Sequence, residues 1–315
     1  MRKTRLAFIV PLLLLSLCST LHAQRPTGRT SVIEVSAGGG WSSLGYSLTS
    51  PQASLLARQG GSYGYTGHIG YALFFNDYIG IGLGADISRY GATAQLDGER
   101  IWEGVTDTDG ERYDHHLLLD RWRDRQEVTY LEIPLAVYLT IPTQSRASVS
   151  FALGARYGIP VSSGSSFGGT TTHYGTYDPW GILTLRDMPN HGFYTERNFS
   201  GTNALPVRHV ISAFIKAGTE IRLSDHVGLT AHIYANYGIT NALDNQEQRT
   251  ELGWQNDRSG MQRAHYFMAP YSSILHTDLV GESSHLISIG AEIGLRFRIP
   301  HTHPYDCKCY GVWWR

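Results

Sequence analysis

Three stretches carry the residue types from which a chemical site could be built. The first is His301-Thr302-His303-Pro304-Tyr305-Asp306-Cys307-Lys308-Cys309, with two imidazoles and two thiols close together. Imidazole and thiolate together suit Zn²⁺ or Cu⁺. The spacing H-x-H-x₃-C-x-C matches no standard site, and an oxidising compartment favours a Cys307–Cys309 or intermolecular disulfide instead. No metal is assigned, and a tail without a role is expected. The second stretch, Asp107-Thr108-Asp109-Gly110-Glu111, hints at a Ca²⁺ loop but lacks EF-hand spacing, so a solvated charged loop is expected. The third is His115-His116. Adjacent histidines point in different directions and chelate poorly, so both are expected to be exposed. Histidines and serines such as His173, His191, His265 and Ser272 recur, yet no G-x-S-x-G or other fixed nucleophile spacing appears. The expectation is a non-enzyme without a cofactor.

The elements that hold these residues are announced at Glu292-Ile293-Gly294-Leu295-Arg296-Phe297-Arg298-Ile299. Odd positions are apolar, and even positions are charged or Gly. Strict period two means a strand with two unlike faces. A strand between lipid and a polar barrel interior needs that pattern. Similar alternation predicts strands near 31–42, 62–75, 78–92, 128–141, 147–160, 208–223, 227–240 and 285–299. Asn76-Asp77, Pro142 to Arg146 and Ser224-Asp225-His226 are short turns, whereas 43–61, 93–127, 161–207 and 241–284 are long connections. The expectation is an all-β fold: an eight-stranded antiparallel transmembrane β-barrel with short periplasmic turns and long extracellular loops. Trp41, Tyr63, Tyr157 and Tyr237 near the loop ends, and Phe75 and Phe297 near the turn ends, would form two aromatic girdles.

The N-terminus fits that address. Arg2, Lys3 and Arg5 precede an apolar Ala7–Leu17, and Ala23-Gln24 offers a cleavage point. A lipoprotein acylated on Cys18 is disfavoured, because Leu17 stands where a small residue is needed. The chain therefore divides into a signal peptide, 1–23, a barrel, 24–300, and a periplasmic tail, 301–315. Residence in the outer membrane of a Gram-negative bacterium follows. A net charge of -1 gives no reason to expect a nucleic-acid partner.

On the polar face, Glu34, Asp86, Glu132, Glu220 and Glu292 oppose Arg156, Lys216, Arg222, Arg296 and Arg298. An eight-stranded barrel is just wide enough to be filled by its own side chains. Paired charges predict a plug of salt bridges and no open channel. A proton or ion path along Glu132, Lys216 and His232 is the functional alternative. The connection 93–127 is dense in charge, and its arginines could reach lipopolysaccharide phosphates. Ser162–Ser166 and Gly168–Thr172 read as a flexible polar segment. Tyr174, Tyr177, Trp180, Phe193, Tyr194, Trp254, Tyr266, Phe267 and Tyr271 either meet a partner or pack the loops into a cap.

Tyr130-Leu131-Glu132-Ile133-Pro134-Leu135, Gly154-Ala155-Arg156-Tyr157-Gly158 and the Gly290–Ile299 strand, with the signal ending Ala23-Gln24, resemble the small outer-membrane barrels of Bacteroidetes, PorT-like and OmpA/OmpX-like. Gly294, Phe297 and Ile299 are similar to the closing signal read by the barrel-assembly machinery, although Ile replaces the usual aromatic and a tail follows. The resemblance covers the strands, carries no catalytic residue, and implies fold and address. It includes secretion and gliding components, so a non-enzymatic anchor or component of a surface or secretion assembly is expected. Outer-membrane lipid, lipopolysaccharide, the assembly machinery and a surface or secretion protein are the expected partners. A lipid-modifying enzyme at the loop rim and a narrow ion-conducting barrel are the alternatives.

Overall fold

The computed structural model describes residues 30–48, 56–107, 110–143, 146–177, 183–244, 252 and 271–300. The signal peptide and the tail bearing His301, His303, Cys307 and Cys309 lie outside them, as do Cys18, Asp109, Trp180, Trp254, His265, Tyr266 and Phe267.

Ten strands run in chain order: β1 Thr30–Leu48, β2 Leu56–Phe74, β3 Ile79–Thr106, β4 Arg112–Pro142, β5 Ala147–Tyr177, β6 Leu183–Leu185, β7 Tyr194–Asn203, β8 Val210–Arg222, β9 Val227–Gly238 and β10 Val280–Pro300. Eight of them close an antiparallel ring, β1-β2-β3-β4-β5-β8-β9-β10, and β1 pairs back to β10 from Thr30↔Pro300 upward. Closure pairs every neighbouring backbone within the ring, as a hydrocarbon surround demands. β6 and β7 stand outside the ring and, among the described residues, pair only with the upper part of β5.

The faces fall as the period-two pattern predicts. Leu135, Leu153, Ile215, Ile233 and Ile293 are exposed outward, Ile293 by 68%. Trp41, Tyr63, Tyr157 and Tyr237 lie outward near one rim, and Phe75 and Phe297 near the other. The ring is an eight-stranded transmembrane β-barrel. Its turns are tight. Asn76 Oδ1 accepts from the N–H groups of Tyr78 and Ile79 at 2.9 and 2.7 Å, and Ser224 Oγ accepts from Val227 N at 3.1 Å.

The long connections correct the sequence reading. The 93–127 stretch is a continuation of β3 and β4, paired as far as Thr106↔Arg112. The serine- and glycine-rich 162–172 stretch is likewise strand, held between β4 and β7. Above Ser42↔Ser62 the β1–β2 ladder stops, and β2 continues with β3 alone. An open sheet, β2-β3-β4-β5-β7, therefore rises from one side of the ring.

Inside this upper part the chemistry inverts. Leu44, Tyr90, Leu96, Leu117, Leu119, Trp122, Tyr130 and Leu286 form one apolar core. The segment before β10 drops into it, burying Ile274, Leu275 and Leu279. At the same height the outer face of β4 changes from Leu131 to Arg125, Arg123 and Arg121, all exposed.

Candidate functional site

The polar interior assembles from adjacent strands in register. Asp86 on β3 lies opposite Glu132 on β4, and Glu132 lies opposite Gly158 on β5. Two strand positions below Gly158, Arg156 reaches across to both acids, at 3.3 Å from each. Ser88 and Tyr90 donate to the same Glu132 carboxylate at 2.7 and 3.0 Å, and the Arg156 guanidinium lies 4.3 Å from the centre of the Phe214 ring. His68 meets Asp86 through Nδ1. Ring closure builds the second group: Arg296 on β10 contacts Glu34 at 2.6 Å and Glu220 at 2.8 Å. Arg298 joins the same Glu220. In the third group Lys216 Nζ donates to Glu292 at 2.7 Å, with His232 Nδ1 3.6 Å from the same oxygen.

Nine of the ten charges expected in the interior are thus brought together. The tenth, Arg222, is exposed. It is the last residue of β8 and lines a mouth of about 240 Å³ with Asp225 and Asp77, below the paired groups. The alternative, a path along Glu132, Lys216 and His232, is divided: Glu132 belongs to Arg156, whereas Lys216 and His232 share Glu292. Glu34, His232 and Glu292 place one ligand atom each within 4.8 Å of one another, which is close enough for a metal. Arg296 and Lys216 already occupy those carboxylates, so a cation would have to displace a bound charge. His68 escaped the sequence reading. Its signal was alternation: it sits two positions after Thr66 and opposite Asp86.

The extension carries the second constellation. His115 is buried, against the expectation of an exposed histidine, because it faces the apolar core of the extension. Its Nε2 lies 2.8 Å from His173 Nδ1. His173 Nε2 lies 3.0 Å from the Tyr271 hydroxyl, which also meets Tyr194 at 3.0 Å. Burial pushes the His115 imidazole down to about 2 and His173 to about 3, and their mutual repulsion adds to this for His115. Both rings are therefore neutral at ordinary pH. His116 points the other way, stacks on Tyr174 with centroids 4.4 Å apart, and reaches Glu99 at 2.8 Å.

Asp107 is buried and serves the hairpin tip. Its carboxylate accepts from Glu111 N at 2.8 Å and from the Tyr177 hydroxyl at 2.9 Å, so it is neither solvated nor free to bind calcium. Tyr177 and Phe193 pack around Tyr113, and Tyr271 stacks on Phe199 with centroids 3.9 Å apart. Of the two readings of the loop aromatics, these residues form a cap. Asp124 anchors the inserted segment by accepting from Ser273 Oγ at 2.6 Å and Ile274 N at 2.8 Å. Arg100 grips Asp278 with two bonds, at 3.0 and 2.6 Å. These anchors were hidden, because their partners lie about 150 or more residues away.

Gly294 lies inward opposite Ser36, while Phe297 and Ile299 face outward at the turn end of β10.

No family model matches the sequence, and no curated protein matches it. Solved structures that are similar include neisserial surface protein A, at 13% identity and a TM-score of 0.32, covering 86% of this chain and 98% of that one. The outer membrane protein OprG of Pseudomonas aeruginosa gives 9% identity and a TM-score of 0.34, covering 88% and 98%. The attachment invasion locus protein Ail of Yersinia pestis gives 12% identity and a TM-score of 0.24, covering 86% and 99%. Values this low assign no family, whether PorT-like or OmpA/OmpX-like, and the barrel fold rests on the strand pairing itself.

Proposed function

We propose that the chain is a sealed, non-enzymatic barrel of a Gram-negative outer membrane, an anchor that holds its extended sheet at the cell surface within a surface or secretion assembly. One observation carries the reading: the interior is filled twice, by paired charges near the turn end and by an apolar core with an inserted segment near the other. A molecule so filled is built to hold a position. The short turns then face the periplasm and the extension faces outward, in keeping with barrels of this kind. Phe297 and Ile299, with Gly294, would serve the assembly machinery as the closing signal. Lipid surrounds the apolar band, and a protein partner meets the extension.

Mild-detergent purification from native outer membranes, followed by mass spectrometry, tests the assembly role. A stoichiometric protein partner is expected, and a barrel recovered alone counts against it. A mass shift of lipid A on overexpression would favour the enzyme alternative. Unitary conductance in planar bilayers would favour the channel.

A further inference from the structure

We infer that the outward face of the extended sheet docks the phosphate groups of an outer-leaflet glycolipid, with Arg58 and Arg123 as the clamp. This rests on the orientation just proposed. One rung of the sheet runs Arg58↔Gln95↔Arg123↔Gly168↔Ser200, across β2, β3, β4, β5 and β7. Residues on one rung share a face, and strands stand about 4.8 Å apart, so the two arginines rise about 10 Å from each other. That separation lets two long guanidinium side chains converge on a single phosphate, which they bind in a bidentate fork. Gly60, Ser166 and Gly168 keep the floor low, leaving a shallow cleft of about 560 Å³ that both arginines border.

Along the part of this face directly above the apolar band, charge accounting leaves the same pair. Glu127 is shared by Arg89 and Arg125, and Asp120 holds Arg121 at 3.2 Å. Asp97 is taken by Gln95 at 2.6 Å and by the Arg121 N–H at 2.6 Å. Among the described residues, Arg58 and Arg123 have no carboxylate within ion-pair distance. Two exposed guanidinium groups, unmatched by any described carboxylate, are what we assign to an external anion.

The occupant follows from what lies beneath. Arg89 stands over Tyr65, and below it the same outer face presents exposed Ile87, Leu131 and Leu83. The guanidinium row therefore starts where the apolar band ends. Arg58 and Arg123 stand six residues above the Arg89↔Thr129 rung, about 20 Å further along the strands, so a molecule that fills both has acyl chains below, sugars between and phosphates on its sugar core above. A soluble polyanion would use only the upper half.

The test uses the full chain in mild detergent, with bound lipid read by native mass spectrometry and barrel integrity read by the gel shift between boiled and unboiled samples. The probes are a glycolipid with a phosphorylated sugar core and the same glycolipid with that core dephosphorylated. Wild type should retain the phosphorylated lipid about tenfold better, and Arg58→Gln/Arg123→Gln should abolish that preference with the gel shift intact. Arg58→Lys/Arg123→Lys should keep part of it. Equal retention of both lipids, or an unchanged preference in the glutamine variant, would overturn the proposal. So would displacement of the lipid by inorganic phosphate or a soluble sulfated polysaccharide at equal concentration. A wild type that ignores the phosphates but still brings down a protein partner would sink the lipid site and leave the anchor standing.

Discussion

Single side chains decide whether the wall or the interior is being tested. Ile133 faces lipid, so Ile133→Arg should cost about 2–4 kcal/mol near the midplane, read as a lower refolding midpoint in urea. The opposite face shows what sequence spacing leaves out. Ala136 points inward as expected, yet it packs with Ala152 and Phe214 beside Tyr138, so an arginine there would be overpacked and not simply tolerated. Arg296 is more informative. Arg296→Met strands Glu34 and leaves Glu220 to Arg298 alone, and it should cost about 3–5 kcal/mol, visible as unboiled protein that no longer resists unfolding on a gel. Adding Glu34→Gln and Glu220→Gln should restore most of it. A variant as stable as wild type would show that these charges are solvated and not paired.

The His115–His173 pair gives a sign that can be worked out. Both imidazoles are held well below their ordinary value of 6.5, by burial. Above that value neither the closed nor the opened cap binds protons there. As pH falls from 6.5 toward 3, the opened cap takes up protons that the closed cap refuses. The closed form then loses up to about 1.4 kcal/mol per pH unit for each histidine. Hydrogen exchange of Tyr271–Leu279, corrected for intrinsic rate, should accelerate at pH 5 relative to pH 7. His115→Gln/His173→Gln should remove that acceleration, and an unchanged ratio would refute the account.

Elements were legible where one rule governed a whole strand. β8 reads Ile211, Ala213, Ile215 and Ala217 outward against Ser212 and Lys216 inward, and the structure keeps that alternation. The same rule was present but disguised in the extension. Ala92, Ala94 and Leu96 alternate with Thr93 and Gln95, as a strand should. The inverted polarity hid it, because there the apolar face turns inward and the charged face meets water. A density of charge that marks a loop in one setting marks a strand's outer face in another. The inserted segment was beyond reach for a different reason. Ser273, Ile274 and Leu275 have no period to read, and Asp124, which fixes them, looks like one more charge in a charged stretch. Asp124→Ala should release that anchor at about 1–3 kcal/mol. Faster hydrogen exchange confined to residues 272–280, with the ring unaffected, is the expected result. Equal exchange would mean that Arg100–Asp278 suffices alone.

For the molecule as a whole, filled layers at two heights predict a silent bilayer. Reconstituted protein should show no unitary conductance, and neither should a variant lacking the β3–β4 tip, since the paired charges below it remain. Steady openings in wild type would mean that the layers part. The change of polarity along β4 also dictates an order of events. Its arginine-bearing upper half ends on the far side of the membrane from the turns. Dragging each guanidinium through hydrocarbon would cost about 2–4 kcal/mol. The hairpin therefore has to thread through a lumen that is still empty, and the interior zips shut behind it. Filling is the last step of assembly, and the long hairpin is what delays it. Shortening the tip should hasten the appearance of the heat-resistant form in a pulse-labelled assembly assay, whereas an unchanged rate would place the delay elsewhere.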